Sequence, residues 1–406
     1  MNSRVATGLA MHRFHGQTKV MADGDRSVTI EGNRLTLIPD GPGRLKQLMA
    51  LIDGAKTSLR LLYYIYSADS SGDRVRDGLL RAIDRGVKVS LLIDGFGSGD
   101  TREDYFRELS ERGARFCRFN PAYGRRYLLR NHQKLALADA ESADSRVLIG
   151  GFNVADSYFA EAADGGWRDI GLLVEGPASA RLMPYYDALM DWSLSKNSKM
   201  KTLRRVVRQF SEHEGRLQWL FGGPMQLKSP WGLATLHDLA AARDLEMIVA
   251  YFAPMGSILK RIGAIAARGR ARIIIPSKSD NPPTIDAARS TYARLLKRRV
   301  KIFEYQPTKL HSKLLVMDDV VHIGSSNFDL RSLYLNMEMM LRVRDADFAI
   351  MMRSYFELEL GDCVEITPEL YKERATWLQR LRWRIAWFLV TSLDYTVTRR
   401  LALRVP

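Results

Sequence analysis

The sequence predicts an α/β fold of two duplicated lobes, each a mixed, mostly parallel sheet flanked by helices. A pseudo-twofold axis should relate the lobes around a shared cleft. Two segments repeat the order strand, helix, Arg-Gly turn, strand. A His-x-Lys-x4-Asp motif follows each segment, and His311 of the second motif comes 179 positions after His132 of the first. The chain has 406 residues, 46% of them hydrophobic, so it is long enough to bury both cores.

The repeated segments have the pattern of a βαβ unit with a buried parallel pair of strands. In each, an apolar run rich in β-forming residues precedes a stretch with helical spacing and a second apolar run. Gly86 and Gly269 follow the two predicted helices, where a C′ glycine ends a helix. The predicted strand, helix and strand cover residues 58–66, 72–84 and 90–94 in the first repeat and 247–252, 258–267 and 270–275 in the second.

The rest of the chain divides around these lobes. The first thirty residues contain no continuous apolar segment, and the longest uncharged apolar stretch near the end, 385–393, has nine residues. A spanning helix needs about 20, so we expect neither a cleaved signal peptide nor a transmembrane helix. The predicted parts are an N-terminal polar arm (1–36), a first lobe (37–195), a basic connector (196–215), a second lobe (216–365) and an amphipathic C-terminal tail (366–406).

The charge of the chain limits its partners. Lys and Arg number 61 against 46 Asp and Glu, which gives a formal charge of +15. Such a surface favours nucleic acid, an acidic membrane or phosphorylated substrates, and composition alone does not choose among them. The two cysteines, Cys117 and Cys363, exclude a disulfide scaffold and a cysteine-ligated zinc cluster.

The C-terminal tail combines aromatic and basic residues. It holds Trp377, Trp383 and Trp387, with eight Lys or Arg against three Asp or Glu. Interfacial helices join such residues, so one interpretation is contact with a membrane surface. The other is a terminal helix packed on the protein's own core. The excess of basic residues favours the first.

The doubled motif carries the chemistry. Residues i and i+2 of a strand share a face, so His132 and Lys134 point the same way, as do His311 and Lys313. Two imidazoles and two ammonium groups could therefore converge on one bound anion, and the expected anion is a phosphodiester. Both copies also continue into a Gly-x-x-Asn sequence that ends at Asn153 or at Asn327, with Ser325 in the second copy.

These residues resemble the phospholipase D superfamily, whose mark is a doubled HxKx4D followed by GSxN. Over about residues 35–365 the chain looks like the bacterial cardiolipin synthase branch, in the shorter form without amino-terminal membrane helices. Further phrases that carry this resemblance are Arg130-Asn131-His132-Gln133-Lys134, Gly324-Ser325-Ser326-Asn327-Phe328-Asp329, Asn336-Met337-Glu338, Tyr251-Phe252-Ala253-Pro254 and Pro276-Ser277-Lys278-Ser279-Asp280.

The first copy departs from the superfamily pattern in two ways. Gly151 stands where the pattern has Ser. Ten residues separate Asp139 from Gly150, against five in the second copy, which predicts a hairpin insertion at 141–145. Neither change removes a histidine or a lysine.

The resemblance implies a phosphohistidine mechanism without metal or other cofactor. One histidine attacks phosphorus, and the other protonates the leaving alkoxide and then deprotonates the incoming alcohol. By family analogy the attack is assigned to His132. The side chains of Lys134, Lys313, Asn153 and Asn327 would hold the phosphate oxygens as charge develops.

Each imidazole needs a carboxylate to orient it. Within the second copy Glu338 takes this role, 27 residues past His311. Within the first copy the candidate is Asp169, 37 residues past His132, with Glu161 as the fallback. The motif aspartates Asp139 and Asp318, by contrast, should face away from the phosphate and cap the turn at the end of the strand.

The function implied is transfer of a phosphatidyl group from phosphatidylglycerol to a second phosphatidylglycerol, which yields cardiolipin and glycerol. The alternatives are a phospholipase D or another phosphatidyltransferase such as phosphatidylserine synthase, then a nuclease of the same superfamily, and last a non-catalytic lipid-binding protein. The expected partner is an anionic phospholipid membrane, at the cytoplasmic face of the bacterial inner membrane. Neither nucleic acid nor an obligate protein partner is expected.

Overall fold

A computed structural model describes residues 26–120, 129–225 and 228–393. The first part of the polar arm, where a signal peptide would lie, falls outside the described residues, as do Arg125, Arg126 and the end of the tail. The described chain forms two eight-stranded sheets and one two-stranded sheet. It is a mixed α/β fold, as the sequence predicts.

The first sheet has the strand order β1-β2-β8-β7-β6-β3-β4-β5. Its strands are β1 (Ser27–Ile30), β2 (Asn33–Ile38), β3 (Ser58–Tyr63), β4 (Lys88–Asp94), β5 (Arg115–Phe119), β6 (Leu135–Ala138), β7 (Arg146–Gly150) and β8 (Gly171–Glu175). The helices around it are α1 (Gly41–Asp53), α2 (Ser70–Asp84), α3 (Arg107–Glu111), α4 (Asp156–Phe159), α5 (Pro177–Ala180) and α6 (Met183–Leu194), and α7 (Met200–Phe210) forms most of the basic connector.

The second large sheet has the order β18-β13-β12-β10-β14-β15-β17-β9. The strands of this half are β9 (Leu217–Gly222), β10 (Asp244–Val249), β11 (Phe252–Ala253), β12 (Arg270–Pro276), β13 (Lys301–Tyr305), β14 (Lys313–Met317), β15 (Val320–Gly324), β16 (Phe328–Asp329), β17 (Glu338–Arg344) and β18 (Cys363–Glu365). Its helices are α8 (Pro230–Ala241), α9 (Gly256–Arg268), α10 (Pro282–Leu296), α11 (Leu330–Tyr334), α12 (Ala346–Leu360), α13 (Pro368–Arg374) and α14 (Trp377–Phe388), followed by a π-helical turn, Leu389–Leu393.

The two sheets repeat one topology. From β8 to β5 the first sheet matches the second from β17 to β13, strand for strand. The βαβ units are confirmed, because β3 pairs in parallel with β4 and β10 with β12. The expectation of mostly parallel sheets is wrong, however. The motif strands β6 and β14 return in hairpins as β7 and β15, and the short loops of hairpins join only antiparallel strands. The insertion at 141–145 lies in the first of these hairpins.

Gly86 and Gly269 differ in their backbone conformation. Gly86 has a φ of 85°, the left-handed conformation expected of a residue that ends a helix. Gly269 directly follows α9, as the sequence predicts, but has an extended φ of −171° in place of the left-handed conformation. Glycine is required there for another reason, because a Cβ atom would lie 2.1 Å from the carbonyl oxygen of Arg243.

The end of the predicted polar arm is part of the first sheet. Strands β1 and β2 form an antiparallel hairpin, so residues 27–36 are not an arm. Glu31 and Gly32 in its turn both have positive φ, at 49° and 74°, as a two-residue turn of type I′ requires. The alternation of apolar and polar residues is only a few residues long here, so it did not distinguish the hairpin from the polar residues before it.

A shared cluster of buried side chains and two matching backbone bridges join the lobes, and each lobe also has a core of its own. A single cluster of buried side chains includes residues from both large sheets and from α6, α7 and α12. Asn131 forms a parallel bridge with Met337, and Arg168 forms one with Leu310. Each bridge joins the segment before a catalytic motif to the other lobe, so the motifs meet at the junction. Within the described residues, none of the helices combines the length and the apolar character that a membrane span requires.

Candidate active site

The two motif histidines lie at the junction of the lobes, each just before a central strand. His132 precedes β6 and His311 precedes β14. The backbone N–H of His132 donates to the carbonyl oxygen of Met337 at 2.9 Å, and that of His311 to the carbonyl oxygen of Arg168 at 2.6 Å. Each histidine is therefore fixed by the opposite lobe.

The carboxylates that orient the imidazoles also come from the opposite lobe. Nδ1 of His132 lies 3.1 Å from Oε2 of Glu338, and Nδ1 of His311 lies 2.7 Å from Oδ2 of Asp169. The sequence identified both carboxylates but paired each with the histidine of its own copy, and that pairing is wrong. The bridges carry Asp169 and Glu338 across the junction, because each carboxylate directly follows a bridging residue. With Nδ1 occupied, Nε2 of each ring remains for chemistry.

Two buried lysines supply the positive charge of the site. Nζ of Lys134 donates to the carbonyl oxygen of His132 at 2.5 Å, and Nζ of Lys313 donates to that of His311. Burial lowers the pKa of Lys134 to about 7 and that of Lys313 to about 8. Each ammonium group has three donors, so donors remain for a bound anion.

The pKa values of the two histidines and the two carboxylates of the site are shifted in different directions. Burial, with the nearby lysines, lowers the pKa of both His132 and His311, so the free imidazoles are neutral near pH 7. Burial alone would raise the pKa of Asp169, yet Lys313 and His311 hold it below its ordinary value. Burial raises the pKa of Glu338 to about 7. The two carboxylates are thus unequal, although the fold repeats.

Gly151 departs from the superfamily pattern because the carboxylate beside it belongs to aspartate and not to glutamate. In the second copy Ser325 Oγ donates to Glu338 Oε2 at 2.5 Å and accepts from the N–H of Met339 at 3.0 Å. In the first copy a Cβ atom on Gly151 would lie 2.7 and 2.8 Å from the two carboxylate oxygens of Asp169. The shorter Asp169 occupies the space that a serine would need, so glycine goes with aspartate and serine with glutamate.

The two asparagines are buried in the site, but their partners differ. Oδ1 of Asn153 accepts a hydrogen bond from the N–H of Ile65 at 3.0 Å, and its side chain also hydrogen-bonds Tyr158. The amide group has two N–H donors, so one remains for a ligand. Oδ1 of Asn327 is buried without a hydrogen-bond partner among the described residues. A hydroxyl or amine of a ligand could satisfy it.

The motif aspartates hold strands together. Asp139 accepts from the backbone N–H groups of Lys56, Thr57 and Ser58, with the shortest contact at 2.7 Å. Asp318 accepts from the N–H groups of Arg243 and Asp244 in the same way. Both have positive φ, at 53° and 51°, and both stand at the far end of the motif strand. Their carboxylates hold the chain that enters the neighbouring strand and not, as the sequence predicts, the turn at the end of their own strand; they contact neither imidazole.

Aromatic rings that the motif does not include pack against the histidines. The ring of Tyr64 lies 5.0 Å from that of His132. The rings of Tyr158, Trp167 and Tyr251 lie 5.3, 5.4 and 6.4 Å from that of His311. Tyr64 and Tyr251 lie in apolar runs that also fit strand core, whereas Tyr158 and Trp167 lie in a polar segment without a periodic pattern.

Two further buried groups position the motif backbone. Arg44 of α1 donates to the carbonyl oxygens of Asp169 and Tyr158, which fixes the segment that carries the carboxylate. Asp94 accepts from the N–H of Asn131 at 2.7 Å, directly before His132, and burial raises its pKa to about 6. The fallback candidate Glu161 is exposed, directly precedes the short helical turn Ala162–Asp164 and makes no side-chain hydrogen bond to it.

No metal-ligand cluster accompanies this arrangement in the described parts of the chain, where three or more His, Cys, Asp or Glu side chains never group suitably. The residues present form instead a pair of neutral imidazoles, each with its own carboxylate, beside two ammonium groups. This set can attack an electrophile, donate and accept protons and hold an anion.

Comparison with known proteins agrees with the geometry. The family described as "cardiolipin synthase, PLD-like domain" matches residues 48–183 and 236–359. A cardiolipin synthase of Listeria monocytogenes serotype 4a (strain HCC23) is 30% identical over 370 residues, which covers 87% of this chain and 74% of that protein. The major cardiolipin synthase ClsA of Bacillus subtilis (strain 168) has the same identity and coverage.

The fold also has a counterpart among solved structures. The crystal structure of phosphatidylserine synthase from Haemophilus influenzae Rd KW20 is similar with a TM-score of 0.71 and 12% sequence identity, over 92% of this chain and 96% of that one. At that identity the likeness concerns the fold alone. The family match covers most of both lobes and confirms the resemblance noted in the sequence. The chain therefore belongs to the phospholipase D-like family of cardiolipin synthases.

Proposed function

We propose that the protein is a phosphatidyltransferase that makes cardiolipin from two molecules of phosphatidylglycerol and releases glycerol. The observation that carries this proposal is the pair of buried histidines, His132 and His311, each hydrogen-bonded to a carboxylate of the other lobe. Membership of a cardiolipin synthase family, and relatives that bear that name over most of the chain, supply the substrate class.

The first half-reaction transfers the phosphatidyl group to the enzyme. Nε2 of His132 attacks phosphorus, and the bond from phosphorus to the glycerol oxygen breaks. The leaving oxygen takes a proton from Nε2 of His311, which becomes an imidazolium when the anionic phosphodiester binds beside it, so glycerol departs neutral. Nδ1–H of His132 donates to Glu338, which fixes the tautomer whose Nε2 carries the lone pair.

The second half-reaction returns the group to an alcohol. A hydroxyl of the second phosphatidylglycerol attacks the phosphohistidine, His311 accepts the hydroxyl proton, and the bond from phosphorus to His132 breaks. The enzyme is then restored and the product is a new phosphodiester. Because similar bonds are broken and made, the overall reaction is readily reversible. Water competes for the same intermediate, so transfer depends on its exclusion.

The unequal carboxylates support this division of roles. Asp169 makes a 2.7 Å contact with His311, and its low pKa keeps it ionised, which suits the histidine that must become an imidazolium. Glu338 shares Oε2 between Ser325 and His132 and has a raised pKa. Such a carboxyl orients a neutral nucleophile more than it stabilises a cation.

The lysines and asparagines are proposed to hold the phosphate. A phosphodiester anion next to Lys134 and Lys313 raises the pKa of both ammonium groups, because opposite charges stabilise one another. Binding substrate therefore fixes the protons that the free site holds weakly. The amide groups of Asn153 and Asn327 would add neutral donors to the same oxygens.

We further propose that the protein acts at the cytoplasmic face of the bacterial inner membrane, where its substrate lies. The formal charge of +15 supports this location, because anionic lipid attracts basic surfaces.

The test is product analysis with purified protein and phosphatidylglycerol vesicles in EDTA. We expect cardiolipin and glycerol in equal amounts, and neither product with His132→Ala or His311→Ala. Phosphatidic acid in place of cardiolipin would show that water is the acceptor and that the protein is a hydrolase. Cardiolipin formation that persists in both variants would refute the assigned site. If no lipid reacts, other alcohols and DNA are the substrates to try next.

A further inference from the structure

The described tail carries a concentrated exposed apolar surface. Six large hydrophobic residues of one short region are at least 46% exposed, and only four others in the described chain reach the same level of exposure. We call the six the tail face: Trp377, Leu378, Leu381, Ile385, Phe388 and Leu389. At about 100° per residue they fall within an arc of roughly 120° on the helix. They form one continuous stripe.

The back of the same helix is docked on the second lobe. Trp383 and Ala386, on the opposite side of α14, are buried. The ring of Trp383 lies 6.0 Å from that of Tyr371, and Arg382 forms a 2.9 Å ion pair with Asp286 of α10. The helix is therefore held by one side, with the tail face turned outwards. The docked side agrees with the interpretation that the helix packs on the protein's own core, and contact of the exposed face with a membrane stays a prediction.

Arginines border the tail face on both sides. On a helical wheel Arg380 and Arg384 flank one edge of the stripe and Arg382 flanks the other, at about 100° per residue. Long basic side chains in this position can reach lipid phosphates while the apolar stripe enters the acyl region. Arg382 is already paired with Asp286, and a second copy of this chain would bring the positive charges of Arg380 and Arg384 against its own. The charge pattern therefore favours an anionic bilayer.

A chain of contacts links the tail face to the catalytic junction. Arg382 pairs with Asp286 near the start of α10, and the π-helical turn after α14 also lies against α10. Just before α10, Asp280 accepts a hydrogen bond of 2.7 Å from the hydroxyl of Tyr251, whose ring packs near His311. The end of the tail face thus adjoins the helix that borders the site.

We propose that α14 is an interfacial membrane anchor, whose tail face enters the surface of an anionic phospholipid bilayer beside the catalytic junction. The choice of lipid rests on the proposed function, which takes phosphatidylglycerol from such a bilayer. The anchor would keep the site at the surface in which its substrate is dissolved. It adds a binding surface that the transfer chemistry itself does not require.

The test compares two matched triple variants of the full chain. Leu381→Ser, Ile385→Ser and Phe388→Ser change the tail face. The control changes three equally exposed residues on other helices, Leu194→Ser, Leu233→Ser and Ile350→Ser. All six side chains are exposed, so both proteins should keep the melting temperature of the wild type. Cosedimentation is measured with vesicles of pure phosphatidylcholine and of phosphatidylcholine with phosphatidylglycerol.

We expect the tail-face variant to bind phosphatidylglycerol vesicles at least tenfold more weakly, and the control to stay within twofold of the wild type. Trp377, 73% exposed, should be quenched by brominated lipid, and Trp377→Phe should remove most of that quenching. Unchanged vesicle binding in the tail-face variant overturns the proposal. So does a wild-type dimer in lipid-free solution that the tail-face variant converts to a monomer.

Activity separates failure of the anchor from failure of the proposed function. With monomeric short-chain phosphatidylglycerol the tail-face variant should retain wild-type turnover, and with vesicles it should lose activity in parallel with binding. Equal loss on both substrates would contradict an anchoring role. A wild-type protein that binds vesicles through the tail face but converts neither substrate would refute the transferase proposal and leave the anchor supported.

Discussion

Nδ1 of His311 lies 2.7 Å from Oδ2 of Asp169, a residue of the other lobe. His132 is paired with Glu338 in the same crossed manner, at 3.1 Å. Neither lobe therefore contains a complete catalytic pair, and the site exists only when both are folded and docked. The duplicated fold makes the crossing possible, because each bridging strand presents its carboxylate to the partner lobe.

The crossed pairing predicts which imidazole responds to each carboxylate change. In Asp169→Asn, the Nδ1–H proton resonance of His311 should move upfield by several ppm, because it loses an ionised acceptor, while that of His132 stays in place. Glu338→Gln should have the reverse effect. Proton NMR with assignment through the histidine variants checks this, and Glu161→Gln is the control that should move neither signal. If Asp169→Asn moved the signal of His132 and Glu338→Gln that of His311, the crossed pairing would be wrong.

Gly151→Ser should disable the site without unfolding the protein. Its Cβ atom would lie 2.7 Å from Asp169 Oδ1, so the carboxylate must move away from His311. We expect kcat to fall about 100-fold, since general acid–base catalysis contributes factors of this size. Steady-state kinetics on monomeric phosphatidylglycerol measures it, with a melting curve to confirm folding. A folded Gly151→Ser enzyme with wild-type kcat would contradict this account of the glycine.

The hydroxyl of Ser325 should lower the pKa of Glu338. Ser325 Oγ donates to the carboxylate, and such a bond lowers a carboxyl pKa, so Ser325→Ala should raise the pKa of Glu338 further above about 7. The acid limb of the pH profile of kcat should then shift to higher pH, because Glu338 stays protonated over a wider range. Ser326→Ala, whose hydroxyl donates to the carbonyl oxygen of Asn327, is the matched control. An unshifted limb in Ser325→Ala would refute the tuning role.

Asp139 should matter for stability and not for chemistry. Asp139→Ala removes the acceptor for three backbone N–H groups, and hydrogen bonds to charged groups contribute about 1.5–3 kcal/mol each, partly recovered by water. We expect a loss of about 2–3 kcal/mol in urea unfolding, with kcat of the folded enzyme within threefold of wild type. Asp139→Asn, which keeps one acceptor and tolerates the positive φ, should lose less. A thousandfold fall in kcat with unchanged stability would instead make Asp139 catalytic.

The buried lysines predict an early alkaline limb. Lys134, with a pKa of about 7, and Lys313, with a pKa of about 8, are charged below those values and neutral above them. Because the charged forms bind the phosphate, kcat/KM should decline as pH rises through 7 to 9, up to tenfold per unit for each lysine. The control Lys56→Met changes an exposed lysine and should leave the profile unaltered. A profile that stays flat to pH 10 would contradict the assignment.

Linkage gives the same lysines an effect on stability. Above pH 7 the unfolded chain still binds a proton at each lysine while the folded site releases it, so the free energy of unfolding rises with pH between about 7 and 10. Lys134→Met should remove part of this slope, at most about 1.4 kcal/mol per pH unit for one group. Urea unfolding at pH 7, 8 and 9 measures the slope. An identical slope in the wild type and Lys134→Met would contradict the lowered pKa.

Sequence reasoning found what short motifs and repeats encode. The doubled motif identified the histidines, the lysines and the motif aspartates, and the resemblance to the family identified Asp169 and Glu338. The crossed pairing was missed because spacing along a chain does not say which lobe a strand end meets. Likewise, the need for Gly151 depends on where the Asp169 carboxylate lies, which only the folded site determines.

The sequence did not predict the aromatic contacts of His311 or the hairpin at the end of the polar arm, for two different reasons. Tyr158 and Trp167 pack on His311 through tertiary contacts that leave no periodic signal. The hairpin of β1 and β2 is too short for its alternation to stand out beside the polar residues before it. The antiparallel pairs of each sheet could have been predicted from the sequence. Only Asp318 and Asp319 separate β14 from β15, and such a tight turn joins antiparallel strands.

The most direct test of the account is a burst experiment with phosphatidyl-p-nitrophenol, whose leaving group needs no proton. His311→Ala should release one nitrophenol per active site and then stall, because His132 is phosphatidylated and no base activates the next alcohol. Intact-protein mass spectrometry should find the added phosphatidyl mass, and His132→Ala should show no burst. A burst in His132→Ala and none in His311→Ala would contradict the central claim that His132 is the nucleophile.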